Sequence, residues 1–258
     1  MEQSYLLSHG DLQIPCRHNA PDDGFVKRIV LGVHGFGGST NDAIQESLAE
    51  EMELFYSAVF RFDFPCHGES PDTDSRLNLT SCVNSLLAVA RDARARYPEV
   101  EDLCIFASGF GAYVTLVSLD TLLEMPGNIR LVVQTPSVRM DETMLAIKGI
   151  SRATLQAMEQ VPFRAPRPFD ITYSFYEELH NHSVMVTHPI PMLILHGEED
   201  AYIRMSDIQN FRRINEGSKL VIVPGTSHRF LEEGAWDMVL DLTRDWFEFE
   251  QVLLTDWS

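Results

Sequence analysis

Short apolar runs alternate along the chain with stretches whose apolar residues recur at helical spacing. Residues 4–7 and 12–16 are strand-like and flank His9-Gly10-Asp11, a turn-forming triplet, which predicts a short antiparallel hairpin. Residues 29–33, 58–62, 103–107, 131–134, 192–195 and 220–223 are compact apolar runs of the kind buried on both faces of a parallel sheet. Helices are predicted at about 41–52, from a cap at Thr80 through Val83, Leu86, Leu87 and Ala90, at 110–123, and at about 236–253. This alternation predicts an α/β protein with a mostly parallel central sheet, helices on both faces and right-handed crossovers.

One stretch breaks the rhythm. Residues 137–189 carry helical patterns at 142–148 and 151–159, then Pro162, Pro166 and Pro168, and no core strand. They predict a small cap over the C-terminal edge of the sheet, inserted into a core made of residues 1–136 and 190–258.

Composition narrows the classes. A chain of 258 residues with 45% hydrophobic content can bury a large core in a single α/β domain. Its formal net charge of −18 argues against a nucleic-acid partner, because phosphates are bound by clustered Lys and Arg. No apolar run nears the ~18 residues that span a bilayer, and residues 1–10 lack the pattern of a secretory signal. Cys16, Cys66, Cys82 and Cys104 are scattered, with neither CxxC nor zinc spacing, which reads as reduced thiols in the cytoplasm.

Four loops that follow predicted strands carry residues able to do chemistry. His34-Gly35-Phe36-Gly37-Gly38-Ser39 is glycine-rich, so its backbone can approach a ligand and aim N–H groups at it. Ala107-Ser108-Gly109-Phe110-Gly111 has the small residues of a tight strand-to-helix elbow, and its small-x-nucleophile-x-small register puts Gly109 at the centre. His196-Gly197-Glu198-Glu199-Asp200 offers carboxylates just past a strand end, where one can orient a histidine. Pro224-Gly225-Thr226-Ser227-His228 supplies that histidine after the last strand. Singly each is weak. In the order oxyanion loop, elbow, acid, histidine they match the chain order of α/β-hydrolases.

With these loops, and with Arg61-Phe62-Asp63-Phe64 and His67-Gly68-Glu69-Ser70, the chain resembles the cinnamoyl/feruloyl-esterase and serine-aminopeptidase-like group of α/β-hydrolases. The resemblance implies an α/β-hydrolase fold and an esterase-like hydrolase of small carboxylic esters or related acyl compounds. It makes Asp200 the acid and His228 the base, with the Phe36 and Phe110 amides as the oxyanion hole. No metal or organic cofactor is implied, since every reacting group would come from the protein.

The departure is at Gly109, where the group carries serine. Glycine adopts the strained backbone of the elbow at little cost but removes the atom that forms an acyl-enzyme. Three explanations stand: a pseudoenzyme keeping an old site for a ligand or partner, an engineered serine-to-glycine change, or an elbow shifted so that Ser108 attacks. The last breaks the spacing the turn requires. Other candidates rank lower. His180, His182 and His188 lack a zinc spacing, Cys66 reads as inert, and Asp63 reads as a loop-holding hydrogen-bond acceptor. The run Phe169, Tyr173, Phe175 and Tyr176 is expected to pack the cap or line an acyl pocket.

Overall fold

The computed structural model describes residues 2–73 and 76–253. In chain order the strands are β1 (Gln3–His9), β2 (Leu12–Asn19), β3 (Arg28–Val33), β4 (Ser57–Phe62), β5 (Asp102–Ser108), β6 (Asn128–Gln134), β7 (Gln160–Phe163), β8 (Phe169–Thr172), β9 (Met192–Gly197) and β10 (Lys219–Val223). Eight of them form one sheet in the order β1-β2-β4-β3-β5-β6-β9-β10. The hairpin β1–β2 and the β2–β4 pair are antiparallel, and every other neighbour pair in this sheet is parallel. This is the α/β-hydrolase fold that the apolar runs and their order predict.

The helices are α1 (Ala43–Leu54), α2 (Leu79–Arg96), α3 (Gly109–Val117), α4 (Leu119–Leu123), α5 (Met140–Lys148), α6 (Arg152–Met158), α7 (Tyr173–Asn181), α8 (Met205–Ile214) and α9 (Ala235–Leu253). Strand residues alternate between two cores. Leu31, Ile105 and Val133 face the side covered by α2, α3 and α8, while Val30, Phe106 and Val132 face α1 and α9. None of the helices among the described residues is long and apolar enough to cross a membrane.

Two local expectations are corrected. The cap of α2 is Asn78 rather than Thr80, because the Asn78 side chain accepts from the Ser81 amide at 2.8 Å and starts the helix before Thr80. The helix expected over 110–123 is two helices, broken at Ser118, whose hydroxyl donates to the Val114 carbonyl at 2.8 Å. As expected, residues 137–189 add no strand to the main sheet; β7 and β8 within them pair with each other. That hairpin carries Phe163 and Phe169 onto Phe36, with ring centroids 4.9 and 5.3 Å away.

The elbow between β5 and α3 depends on what is missing from residue 111. A Cβ there would stand 2.4 Å from the His34 carbonyl oxygen and 2.7 Å from that of Val33. Helix α3 therefore leaves the sheet directly across the end of β3. Gly111→Ala is expected to destabilise the protein by about 1–3 kcal/mol, because backbone rather than a flexible side chain blocks the methyl. Urea unfolding of the two proteins measures it, and an unchanged midpoint would contradict this packing.

Candidate active site

Parallel strands end on one edge of the sheet, and the loops singled out in the sequence leave from that edge. After β3, the His34 ring ties two of them together. Its Nδ1 lies 2.8 Å from the Gly35 carbonyl, and its Nε2 accepts from the Phe64 amide at 3.1 Å. Asp63 holds the same corner, accepting from the amides of Thr40 at 2.7 Å and Glu69 at 2.8 Å. Its place in the structure is the loop-holding one. Cys66 is fully buried.

At the elbow, Gly109 has φ +49°, in the left-handed region that glycine occupies at least cost. Ser108, just before it, donates its hydroxyl to Gln134 Oε1 at 2.8 Å, toward the facing residue of β6. The Ser108 side chain is thus engaged along the sheet and does not cap α3. The first-turn amides of that helix, Phe110 included, have no acceptor within the helix and no side chain over them. The Phe36 amide, on the loop after β3, likewise donates to nothing among the described residues.

Asp200 and His228 meet. His228 Nδ1 lies 2.8 Å from Asp200 Oδ2, with the carboxylate buried and the imidazole about a fifth exposed. Gly197 permits the meeting, since a Cβ on it would stand 2.4 Å from the Thr226 carbonyl oxygen, on the loop that carries His228. Burial pushes the Asp200 carboxyl up. The hydrogen bond and charge of His228, with amide donors at Ile203 (3.0 Å) and Tyr202 (2.8 Å), outweigh it, so the net shift is downward. The Tyr202 ring packs edge-on to His228 at 5.3 Å. Behind Asp200 stands His196, buried, its Nδ1 at 4.0 Å, pushed below the ordinary imidazole value by burial.

Sequence reasoning missed Ser137. It follows β6, donates its amide to the Gly109 carbonyl at 3.2 Å and is 3% exposed. A Cβ on residue 109 would stand 3.8 Å from Ser137 Oγ and 3.9 Å from Gly35 Cα. Position 109 therefore has room for a side chain. The turn into Ser137 is strained: Thr135, β-branched and buried, sits at φ +40°. The available signal was position, because Ser137 lies just beyond the C-terminal end of a parallel strand.

The histidines of the cap region have separate partners. His180 Nδ1 lies 2.8 Å from Asp141, His182 Nδ1 lies 2.7 Å from the Glu178 carbonyl, and His188 Nε2 lies 3.1 Å from the Val184 carbonyl. Among the described residues no three His, Cys, Asp or Glu side chains gather as metal ligands. Phe169 and Phe175 do join an aromatic cluster with Phe36, which Phe110 also enters. Tyr173 and Tyr176 stack on each other at 5.9 Å.

The model of the Alpha/beta hydrolase family matches residues 30–242. No curated protein sequence matches the chain. Est1E from Butyrivibrio proteoclasticus, with ferulic acid bound, superposes with a TM-score of 0.78 at 17% identity, covering 96% of this chain and 99% of that one. Alpha/beta hydrolase domain-containing protein 10 from mouse gives 0.77 at 14% identity, over 95% and 98% of the two chains. An alpha-beta serine hydrolase homologue from Coxiella burnetii gives 0.64 at 18% identity, over 93% and 95%. At these identities the likeness is one of fold.

The downward shift of Asp200 has a pH consequence. Ionised Asp200 stabilises the folded chain fully above the ordinary carboxylate value, and the contribution is lost as pH falls below it, through the folded-state value. Asp200→Asn removes that component. The stability difference between wild type and Asp200→Asn, from urea unfolding, is expected to narrow below about pH 4. A difference that stays constant down to about pH 2 would show that the carboxylate is not held by these donors.

Proposed function

The chain belongs to the alpha/beta hydrolase family, and from that premise we propose that its site is built for small carboxylic esters and related acyl compounds, with Gly109 standing at the nucleophile position. Asp200 orients His228 as the base, and the amides of Phe36 and Phe110 receive the carbonyl oxygen. With no hydroxyl on residue 109, no acyl-enzyme forms. Residues 137–189 act as a cap, and the chemistry needs no metal or organic cofactor. Four free, buried cysteines support a cytoplasmic setting.

The observation that carries this reading is the buried Asp200–His228 pair, held at 2.8 Å. A buried carboxylate aligned on an imidazole is costly to keep for stability alone, because desolvating the charge offsets much of the gain. Two features support the register. Gly109 has the positive φ of an elbow centre, and the Ser108 hydroxyl is engaged with Gln134. What turnover remains comes from water, with His228 as base. In serine proteases, loss of a triad member leaves roughly 10³–10⁴ over the uncatalysed rate. A second reading, in which the site binds an acyl compound or a partner without turnover, is favoured by Gly109, which leaves the elbow without a side chain while the Asp200–His228 pair stays in place.

A fluorophosphonate probe is expected to leave the wild-type protein unlabelled. Gly109→Ser is expected to be labelled at residue 109 and to raise kcat/KM on aryl and alkyl esters by at least roughly 10³-fold. It should cost about 1–3 kcal/mol of stability, since serine must take up φ near +49°. Labelling of the wild type at Ser108, or a Gly109→Ser protein that folds yet neither labels nor hydrolyses, would overturn the assignment. Separately, His228→Ala should abolish whatever slow ester hydrolysis the wild type shows.

A further inference from the structure

We propose that His196 is a positioning residue for the Asp200–His228 pair: from the buried side it turns an Nδ1–H toward the same Asp200 oxygen that holds His228. The inference rests on Asp200 being the acid of the site, and it adds a group that the proposed ester chemistry does not use.

The two oxygens of Asp200 are supplied with donors unevenly. Oδ1 accepts from the amides of Tyr202 at 2.8 Å and Ile203 at 3.0 Å. Oδ2 has the His228 imidazole, with Nδ1 at 2.8 Å. A second imidazole faces the same Oδ2, since His196 Nδ1 stands 4.0 Å from it. That is too far for a hydrogen bond. It is close for two groups sealed from water, the His196 and Asp200 side chains being 1% and 0% exposed. Without water between them, an N–H dipole at this range still acts on the charge.

His196 is a fixed reference for the pair. It lies on β9 itself, opposite Ile222 of β10, while Asp200 and His228 lie on the loops that follow those two strands. Its Nδ1 is buried and has no hydrogen-bond partner among the described residues. Buried polar atoms are ordinarily partnered, because losing water without a replacement is costly. Packing alone gives no reason to keep such an atom, since an apolar side chain fills the volume with nothing to desolvate. The carboxylate gives one.

The sign of the interaction fixes the tautomer. Burial pushes His196 below the ordinary imidazole value; Asp200 pulls it back, His228 pushes it further down, and the Ile203 backbone favours a proton on the ring. The ring is neutral near pH 7, with one nitrogen protonated. A lone pair on Nδ1 would set a negative end against Oδ2, whereas a proton there presents the positive end of the dipole. The proton is on Nδ1.

Two effects follow from this placement. The N–H dipole favours the ionised form of Asp200, in the same sense as the Tyr202 and Ile203 amides. It also draws on the charge of Oδ2, so that oxygen grips His228 Nδ1–H less tightly than it would alone. The separation matters. At bonding distance His196 would compete with His228 for the oxygen, and at 4.0 Å it tunes the acceptor without displacing the base.

Nitrogen-15 NMR of histidine-labelled wild type reads the tautomer directly. His196 is expected to carry its proton on Nδ1 near pH 7, and a proton on Nε2 alone overturns the inference without any variant. Two substitutions then read the effect on Asp200, whose carbon-13 carboxyl signal is assigned by its loss in Asp200→Asn. His196→Leu fills the space without a donor, and should raise the proton affinity of Asp200 at least about threefold. The His228 Nδ1–H resonance should move downfield as its acceptor strengthens. His196→Asn restores a side-chain N–H and should return both signals toward wild type. Signals that stay unmoved in His196→Leu mark a space-filling histidine and overturn the inference. None of these measurements needs turnover, so the two assignments fail separately. If Gly109→Ser gains esterase activity while His196→Leu leaves Asp200 unmoved, the hydrolase reading stands and this inference falls. If both signals move as stated but Gly109→Ser neither labels nor hydrolyses, the hydrolase reading falls and the effect of His196 on Asp200 stands.

Discussion

The carbonyl oxygens of Val33 and His34 lie where a side chain on residue 111 would have to go, and much of the site follows from that crossing. Parallel strands deliver their loops to one edge, and those loops can converge only where backbone passes backbone with nothing between. Gly111 lets α3 start across the end of β3. Gly197 does the same for the loop that brings His228 to Asp200. With both crossings made, the elbow and the Asp200–His228 pair lie on the same edge of the sheet.

Two kinds of glycine therefore meet at the edge, and they are not equivalent. Gly111 and Gly197 are excluded from change by backbone atoms closer than 3 Å, so their identity is a condition of the fold. Gly109 has φ +49° but nothing within 3.8 Å of where its Cβ would stand. A side chain fits there at the cost of backbone strain alone. Packing does not demand glycine at this position. Glycine leaves the position without a side chain although the space would accept one.

The Asp200–His228 pair gives the site its electrostatic asymmetry. Asp200 is buried yet kept ionised by the imidazole and two backbone amides, so the negative charge is already neutralised on the inner side. The imidazole, about a fifth exposed, is the member of the pair left open to solvent.

The sequence by itself determined the fold, because it is written in short-range pattern. Alternating apolar runs specify a parallel sheet, and Ala107, Gly109 and Gly111 mark a turn whose constraints reach only two residues either way. The pairing of Asp200 with His228 was legible for a related reason: each lies on the loop after a predicted strand, and β9 and β10 are neighbours in the sheet. Where the pattern was ambiguous, at the cap of α2 and the break at Ser118, a single side-chain hydrogen bond decided the matter locally. Only the tertiary structure decided which serine faces residue 109. Ser108 is adjacent in sequence but turns along the sheet to Gln134, its partner across β6. Ser137, remote in sequence, arrives through the β5–β6 register and the strained turn at Thr135. Side-chain direction at a sheet edge depends on the neighbouring strand, and no local pattern carries that information.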